Sequence, residues 1–152
     1  MTLTVRAPLA GTVIGIEDVP DPVFAGRLVG PGLALEPERT GGRVTALAPV
    51  RGALIKVHPH AFVVAAEGGR AVLVHLGLDT VSLGGAGFTV HVSEGEPVEA
   101  GDPVISFSPE RIEAEGLSPV VPVVALDAGE SDLVLAPPGT ALSPKMTAFT
   151  WA

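Results

Sequence analysis

Val72-Leu73-Val74-His75-Leu76-Gly77-Leu78-Asp79-Thr80-Val81 is the stretch on which the fold turns, together with His60-Ala61-Phe62-Val63, which opens fifteen residues before His75. Both runs are dense in apolar, β-branched residues, so each reads as a buried strand. Each also carries a histidine. A polar ring in an apolar strand must find a hydrogen-bond partner or be put to chemical use. Side chains of an extended chain alternate with period two, which projects His75, Gly77 and Asp79 to one side. On that reading Gly77 leaves space above the backbone.

The rest of the chain supports a β-rich fold. Its 152 residues suit one domain over 1–152 with a substantial core. Apolar residues make up 47% and charged residues 17%, which excludes a disordered chain. Aromatics are only 4%, so packing must rest on Val, Leu, Ile and Ala. Gly (19) and Pro (15) are abundant and dispersed, the pattern of many short strands and tight turns. A net charge of −8 argues against a nucleic-acid partner and suits a basic protein surface. The absence of cysteine excludes disulfides, thiolate zinc sites and cysteine nucleophiles. No stretch approaches the roughly 20 apolar residues of a spanning helix. The N-terminal residues have no basic segment leading into an apolar run. The expectation is a soluble cytoplasmic protein with no direct membrane insertion.

Punctuation along the chain sharpens this. Ala7-Pro8-Leu9-Ala10-Gly11-Thr12-Val13 and Ala48-Pro49-Val50-Arg51-Gly52-Ala53-Leu54 share Ala-Pro-x-x-Gly followed by alternating apolar positions. The motif predicts a turn feeding a strand, used twice in one sheet system, and hence a pseudo-symmetric β-sandwich. Further strands are expected around 43–48, 61–66, 70–76, 88–92, 103–107, 120–126 and 146–151. Pro103, Pro119 and Pro122 point to edges or strand starts. Between Val92 and Val104 the pattern V-x-x-G-x-x-V-x-x-G-x-x-V places glycines at turns and valines inward. One helix is expected near 108–116, with Ser108 as N-cap, Pro109 in the first turn and Gly116 as its end.

Taken in order, several segments resemble a known family. They are Asp21-Pro22-Val23-Phe24-Ala25, Gly30-Pro31-Gly32-Leu33-Ala34, Ala48-Pro49-Val50-Arg51-Gly52, His60-Ala61, His75 to Val81, and Gly87-Phe88. Over about residues 5–126 they are similar to the glucose-type enzyme IIA domain of the bacterial phosphoenolpyruvate-dependent sugar phosphotransferase system. The resemblance implies an antiparallel β-sandwich, barrel-like in outline, with two histidines in a shallow apolar depression. It implies that His75 accepts a phosphoryl group from the phosphocarrier protein HPr and passes it to the IIB domain of a sugar permease. His60 takes the supporting role, and Asp21, Phe24, Leu28, Val29 and Asp79 form the docking rim. No cofactor is required and no metal is expected; were one bound, His60 and His75 would hold it. Regulated enzymes or permeases are further partners that the resemblance allows. The chain departs from the family in Val57-His58-Pro59-His60, a shortened loop without the threonine that often precedes the supporting histidine. His58 either replaces that hydroxyl or is a solvated turn residue.

The chemistry suits these residues. Neutral imidazole is a nucleophile near pH 7, because its ordinary pKa is about 6.5. The resulting phosphoramidate leaves readily, and transfer needs positioning and charge stabilisation above all. His75 would attack through Nε2 while Nδ1–H donates to the Gly77 carbonyl. His60 would donate to a phosphoryl oxygen. Asp79 has two compatible readings, steering a basic partner and capping a turn with Thr80. Phe24 reads as an exposed docking residue from the resemblance and as core from its apolarity alone. Two rival classes exist. A zinc-dependent hydrolase would use His58, His60, His75 and Asp79, although Pro59 disrupts strand pairing between the first two. A biotinyl- or lipoyl-like carrier would need a modified lysine, and the settings of Lys56 and Lys145 fit neither type.

Overall fold

Fourteen strands pair throughout in antiparallel fashion. A computed structural model describes residues 1–152. The strands are β1 (Leu3–Arg6), β2 (Gly11–Gly15), β3 (Gly32–Pro37), β4 (Val44–Leu47), β5 (Gly52–His58), β6 (Ala61–Ala65) and β7 (Ala71–His75). After them come β8 (Thr89–Val90), β9 (Pro97–Val98), β10 (Pro103–Phe107), β11 (Val121–Ala125), β12 (Leu133–Leu135), β13 (Ala141–Leu142) and β14 (Thr147–Trp151). Eight form one sheet in the order β13-β2-β3-β11-β7-β6-β5-β9. Two three-stranded sheets, β1-β14-β12 and β4-β10-β8, complete the fold. None of the sheets closes on itself, so the architecture is an open β-sandwich and not a barrel.

Alternation along the strands makes the large sheet two-faced. Val72 and Val74 of β7, Phe62 and Val64 of β6, and Val121 and Val123 of β11 turn into the main core. There they meet Val5, Phe149 and Trp151 from one small sheet and Ile105 and Phe107 from the other. The opposite face carries a second, smaller cluster of Ile16, Val19, Phe24, Ala34, Leu78, Val120 and Val124. It is this second face that bears the histidines.

The Ala-Pro-x-x-Gly repeat feeds β2 and β5, and both lie in the large sheet. Its glycines have a packing reason. A Cβ on Gly11 would sit 2.6 Å from the Glu36 carbonyl oxygen, and one on Gly52 2.1 Å from that of Ala65. The neighbouring strand therefore occupies the space of a side chain. Val98 and Val104 of the V-x-x-G pattern are buried, with Gly95 and Gly101 in left-handed turns.

The expected helix is α2 (Pro109–Ala114); Ser108 Oγ accepts from the Arg111 N–H at 3.3 Å, and Gly116 follows at φ +80°. A single helix was one too few. A one-turn helix, α1 (Pro22–Ala25), also forms, because the Asp21 carboxylate accepts from the Val23 N–H at 2.9 Å and Pro22 fits the first turn. Pro122 is the second residue of β11, a strand start as expected, although that strand is central and not an edge. The proline is tolerated there because pairing with β7 begins only at Val123.

Candidate functional site

The β6–β7 register brings the two histidines together. Ala61 pairs with His75, and the Leu76 N–H donates to the His60 carbonyl at 2.7 Å. The rings lie 5.1 Å apart, edge to face at 74°. His60 is not in a strand, contrary to the apolar pattern around it. His58 pairs with Ala61, which leaves Pro59 and His60 as the two-residue tip of the β5–β6 hairpin. His58 itself ends β5 and stacks on His60, with centroids 5.8 Å apart. It is thus an exposed strand-end residue, not a turn residue, and its ring lies against that of His60.

His75 ends β7 with its ring half-buried. Its Nδ1 lies 2.6 Å from the Gly77 carbonyl oxygen. A carbonyl can only accept, so Nδ1 carries the proton and Nε2 keeps the lone pair in the neutral ring. Burial pushes the His75 pKa below the ordinary histidine value; the Gly77 bond and the carboxylates of Asp21 and Asp79 oppose that shift. The His60 pKa is also lowered, first by burial and then by the neighbouring rings of His75 and His58. Both shifts favour the neutral, nucleophilic form at pH 7.

Beyond His75 the extended chain stops, so the expected projection of His75, Gly77 and Asp79 to one side does not occur. Gly77 turns at φ +86° and Asp79 at φ +58°. Gly77 makes no free space either: a Cβ there would lie 2.6 Å from Thr80 Cγ2 and 3.0 Å from the Ser118 carbonyl oxygen. Its role is to bend the chain so that its own carbonyl returns to His75. Asp79 does not cap the following turn with its side chain. Instead Ser82 Oγ donates to the Asp79 carbonyl at 2.8 Å. Thr80 is fully buried and donates to the Leu76 carbonyl at 2.9 Å. The Asp79 carboxylate is left exposed at the rim.

Phe24 corrects the exposed-residue expectation. It is only 7% exposed, belongs to the second cluster, and meets the His75 ring edge-on at 5.3 Å. It walls the histidine and offers little surface to a partner. Val29 is partly buried beside it. Leu28 is 74% exposed, and two residues that the sequence reading passed over, Val23 and Val81, are 42% and 68% exposed. The signal for both was present, since they lie in the Asp-Pro-Val-Phe and Asp-Thr-Val runs.

The rings open on a shallow depression of about 290 Å³, lined by Lys56, His58, His60, Val63, Leu73 and His75. Lys56 was also missed. It pairs with Val63, and an irregularity in register at Ile55, just after the buried Leu54, turns Lys56 and His58 together to the outer face. It forms no ion pair with a carboxylate. A larger cleft of about 440 Å³ lies beside His91, but only the smaller one joins His58, His60 and His75. His58, His60, His75 and Asp79 do not assemble: no three metal-ligating side chains in the chain form a group able to hold an ion. The hydrolase reading therefore lacks its ligand set. No helix is long and apolar enough to cross a membrane.

Comparison with known proteins gives the chain a family. The family model described as phosphoenolpyruvate-dependent sugar phosphotransferase system, EIIA 1, matches residues 3–130. The PTS system glucose-specific EIIA component of Bacillus cereus is 46% identical over 132 residues, covering 84% of this chain and 78% of that protein. The PTS system glucose-specific EIIBCA component of Corynebacterium glutamicum is 44% identical over 126 residues, 83% of this chain but 18% of the longer protein. Among solved structures, glucose permease IIA from Mycoplasma capricolum superposes with a TM-score of 0.89 at 32% identity, covering 99% of this chain and 96% of that one. The chain belongs to the EIIA 1 family of the phosphoenolpyruvate-dependent sugar phosphotransferase system.

Proposed function

We propose that this protein is a histidine phosphocarrier in which His75 Nε2 accepts a phosphoryl group from phospho-HPr and delivers it to the IIB domain of a sugar permease. The observation that carries this is the 2.6 Å contact between His75 Nδ1 and the Gly77 carbonyl, which leaves Nε2 as the nucleophile. In the step, a P–N bond forms at Nε2 as the bond between phosphorus and the donor's carrier atom breaks. No proton need leave His75, because Nε2 is unprotonated beforehand. Nδ1–H stays on the Gly77 carbonyl and offsets the positive charge that the ring acquires. His60 donates from its ring to a phosphoryl oxygen. Phe24 excludes water from one side of the imidazole and slows hydrolysis. Transfer on this reading needs no cofactor or metal, since Nδ1–H and the His60 ring already supply the charge stabilisation.

Partners dock on Leu28, Val29, Val23 and Val81, with Asp21 and Asp79 at the rim. Delivery to a IIB domain is supported by the Corynebacterium glutamicum relative, whose name places the A segment in one EIIBCA component. The setting is the cytoplasm, where a permease presents its IIB domain.

The test is incubation with enzyme I, HPr and phosphoenolpyruvate, with mass spectrometry at alkaline pH to preserve phosphohistidine. The protein is made metal-free, and chelator is present during the acceptance step. The unsubstituted chain should gain one phosphoryl group and the folded His75→Gln variant none. Full labelling of His75→Gln would overturn the assignment, and dependence on added zinc would overturn the metal-free mechanism.

A further inference from the structure

A second cleft, of about 240 Å³, lies away from the histidines between the β4-β10-β8 sheet and α2. It is lined by Arg43, Gly87, Phe88, Thr89, Ser108 and Arg111. We propose that it binds a phosphate dianion, free or carried on a small phosphomonoester. This does not rest on the reading of His75.

The charges motivate it. Arg27, Arg39 and Arg51 each pair with one or more glutamates. Arg43 and Arg111 pair with none, although the chain carries a net charge of −8. Two guanidinium groups facing one cleft repel each other, and an anion between them removes that repulsion. No carboxylate side chain lines the cleft. Glu110, beside Arg111 in the chain, is not part of the lining; its Oε1 is buried without a hydrogen-bond partner.

The hydrogen-bonding roles select an anion. Arg43 Nη2 donates to Thr89 Oγ1 at 2.6 Å and to the Ser106 carbonyl at 3.0 Å, which orients the guanidinium and leaves Nε and Nη1 free. Thr89 Oγ1 already accepts, so its own proton is available to a ligand. Ser108 Oγ likewise accepts from the Arg111 N–H at 3.3 Å and keeps its proton to give. The Arg111 side chain makes no hydrogen bond at all, so its donors are all free. The side chains thus present donors from four residues, which matches the acceptor-only surface of a tetrahedral oxyanion. Gly87 makes room for this arrangement. At φ +88° a Cβ would stand 3.0 Å from Arg111 Cδ and 3.1 Å from its Nε, so a side chain there would displace the guanidinium. The cleft holds roughly eight waters' worth of volume, enough for a phosphate and part of an attached group.

The test is a nuclear magnetic resonance titration of the full chain with inorganic phosphate, and separately with glycerol 2-phosphate, at constant ionic strength set with chloride. Saturable shifts are expected at the amides of Gly87, Thr89, Ser108 and Arg111, with half-saturation in about the millimolar range. Equal midpoints for the two probes identify the phosphate group alone as the ligand, and a lower midpoint for the ester shows that its organic part also binds. Arg111→Gln, which loses no intramolecular side-chain bond, should weaken binding by roughly tenfold, the weight of one charge-assisted contact. Arg43→Gln should do the same. The proposal is overturned if those amides do not respond, if shifts appear only at His60 and His75, or if Arg111→Gln titrates like the unsubstituted protein.

Discussion

Replacing Gly77 by alanine puts the support of the His75 ring under direct strain. The new methyl would lie 2.6 Å from Thr80 Cγ2, 3.0 Å from the Ser118 carbonyl oxygen and 3.2 Å from Ile112 Cδ1. None of these yields easily. Thr80 is fully buried and tied to the Leu76 carbonyl, and the Ser118 carbonyl accepts from the Leu78 N–H at 2.9 Å. The left-handed backbone adds about 1–2 kcal/mol for a residue with a Cβ, and overpacking about 1–3 kcal/mol. The expected loss is therefore about 2–5 kcal/mol. At about 2 cal/mol/K per residue, the unfolding entropy of this chain turns that into a fall in Tm of roughly 6–15 °C. Relief comes by rotating the Gly77 peptide, which withdraws its carbonyl from His75 Nδ1. The variant should thus show mixed tautomers in the ring ¹⁵N spectrum and slower phosphoryl acceptance. A Tm within about 1 °C of the parent, with the Nδ1–H tautomer intact, would refute the reasoning, since that shift is far below the strain expected.

His60→Gln should still be labelled on His75 but pass the group onward about 10²–10³ times more slowly, the usual effect of losing one charge-stabilising donor; unchanged rates in both directions would remove His60 from the mechanism. The lowered pKa values of His75 and His60 mean that the unfolded chain binds protons first as pH falls below about 6.5. These two rings contribute nothing above that pH and destabilise the fold progressively below it, down to their folded midpoints; ring-proton titration giving a His75 midpoint at or above 6.5 would contradict the burial argument. The double variant Asp21→Asn, Asp79→Asn keeps a hydrogen-bonding cap on α1 but removes two carboxylates that favour protonated His75. It should lower the His75 midpoint further and slow acceptance from phospho-HPr mainly at low salt, because screening shortens to about 8 Å at 0.15 M; a parental salt slope would take both aspartates out of the interface.

How far the sequence could be read depended on whether the information was local. Strands β6, β7, β10, β11 and β14 were legible because their apolar runs end at Gly, Pro or a polar residue. Ser108-Pro109 likewise marks α2 within the chain itself. The pairing of His60 with His75 was legible as chemistry, but its distance comes from the Ala61–His75 register, which no local pattern encodes. The burial of Phe24 depends on α1 folding back over the outer face of the large sheet, a tertiary event. Lys56 stayed hidden because it is the irregular register at Ile55 that turns it, two residues after the buried Leu54, to the outer face. Gly77 was misread because an extended chain was carried two residues too far; the Leu-Gly-Leu-Asp run is itself a turn signal.

The main core is what holds the site to tolerance. On β7 the same five residues serve both faces: Val72 and Val74 enter the core, while Leu73 lines the depression and His75 ends it. A slip of one residue would invert every side chain. It would expose Val72 and Val74, at about 1.5–3 kcal/mol each, and drive the His75 ring into an apolar interior away from the Gly77 carbonyl. β6 is bound by the same rule, since Phe62 and Val64 are fully buried and His60 sits one residue outside the strand. The 5.1 Å separation of the rings is thus secured from the far side of the sheet, by residues buried in the main core. This leaves the outer surface free to vary. The two-residue Pro59-His60 tip of the β5–β6 hairpin needs no extra loop residues to deliver His60, because strand register sets the position of its ends.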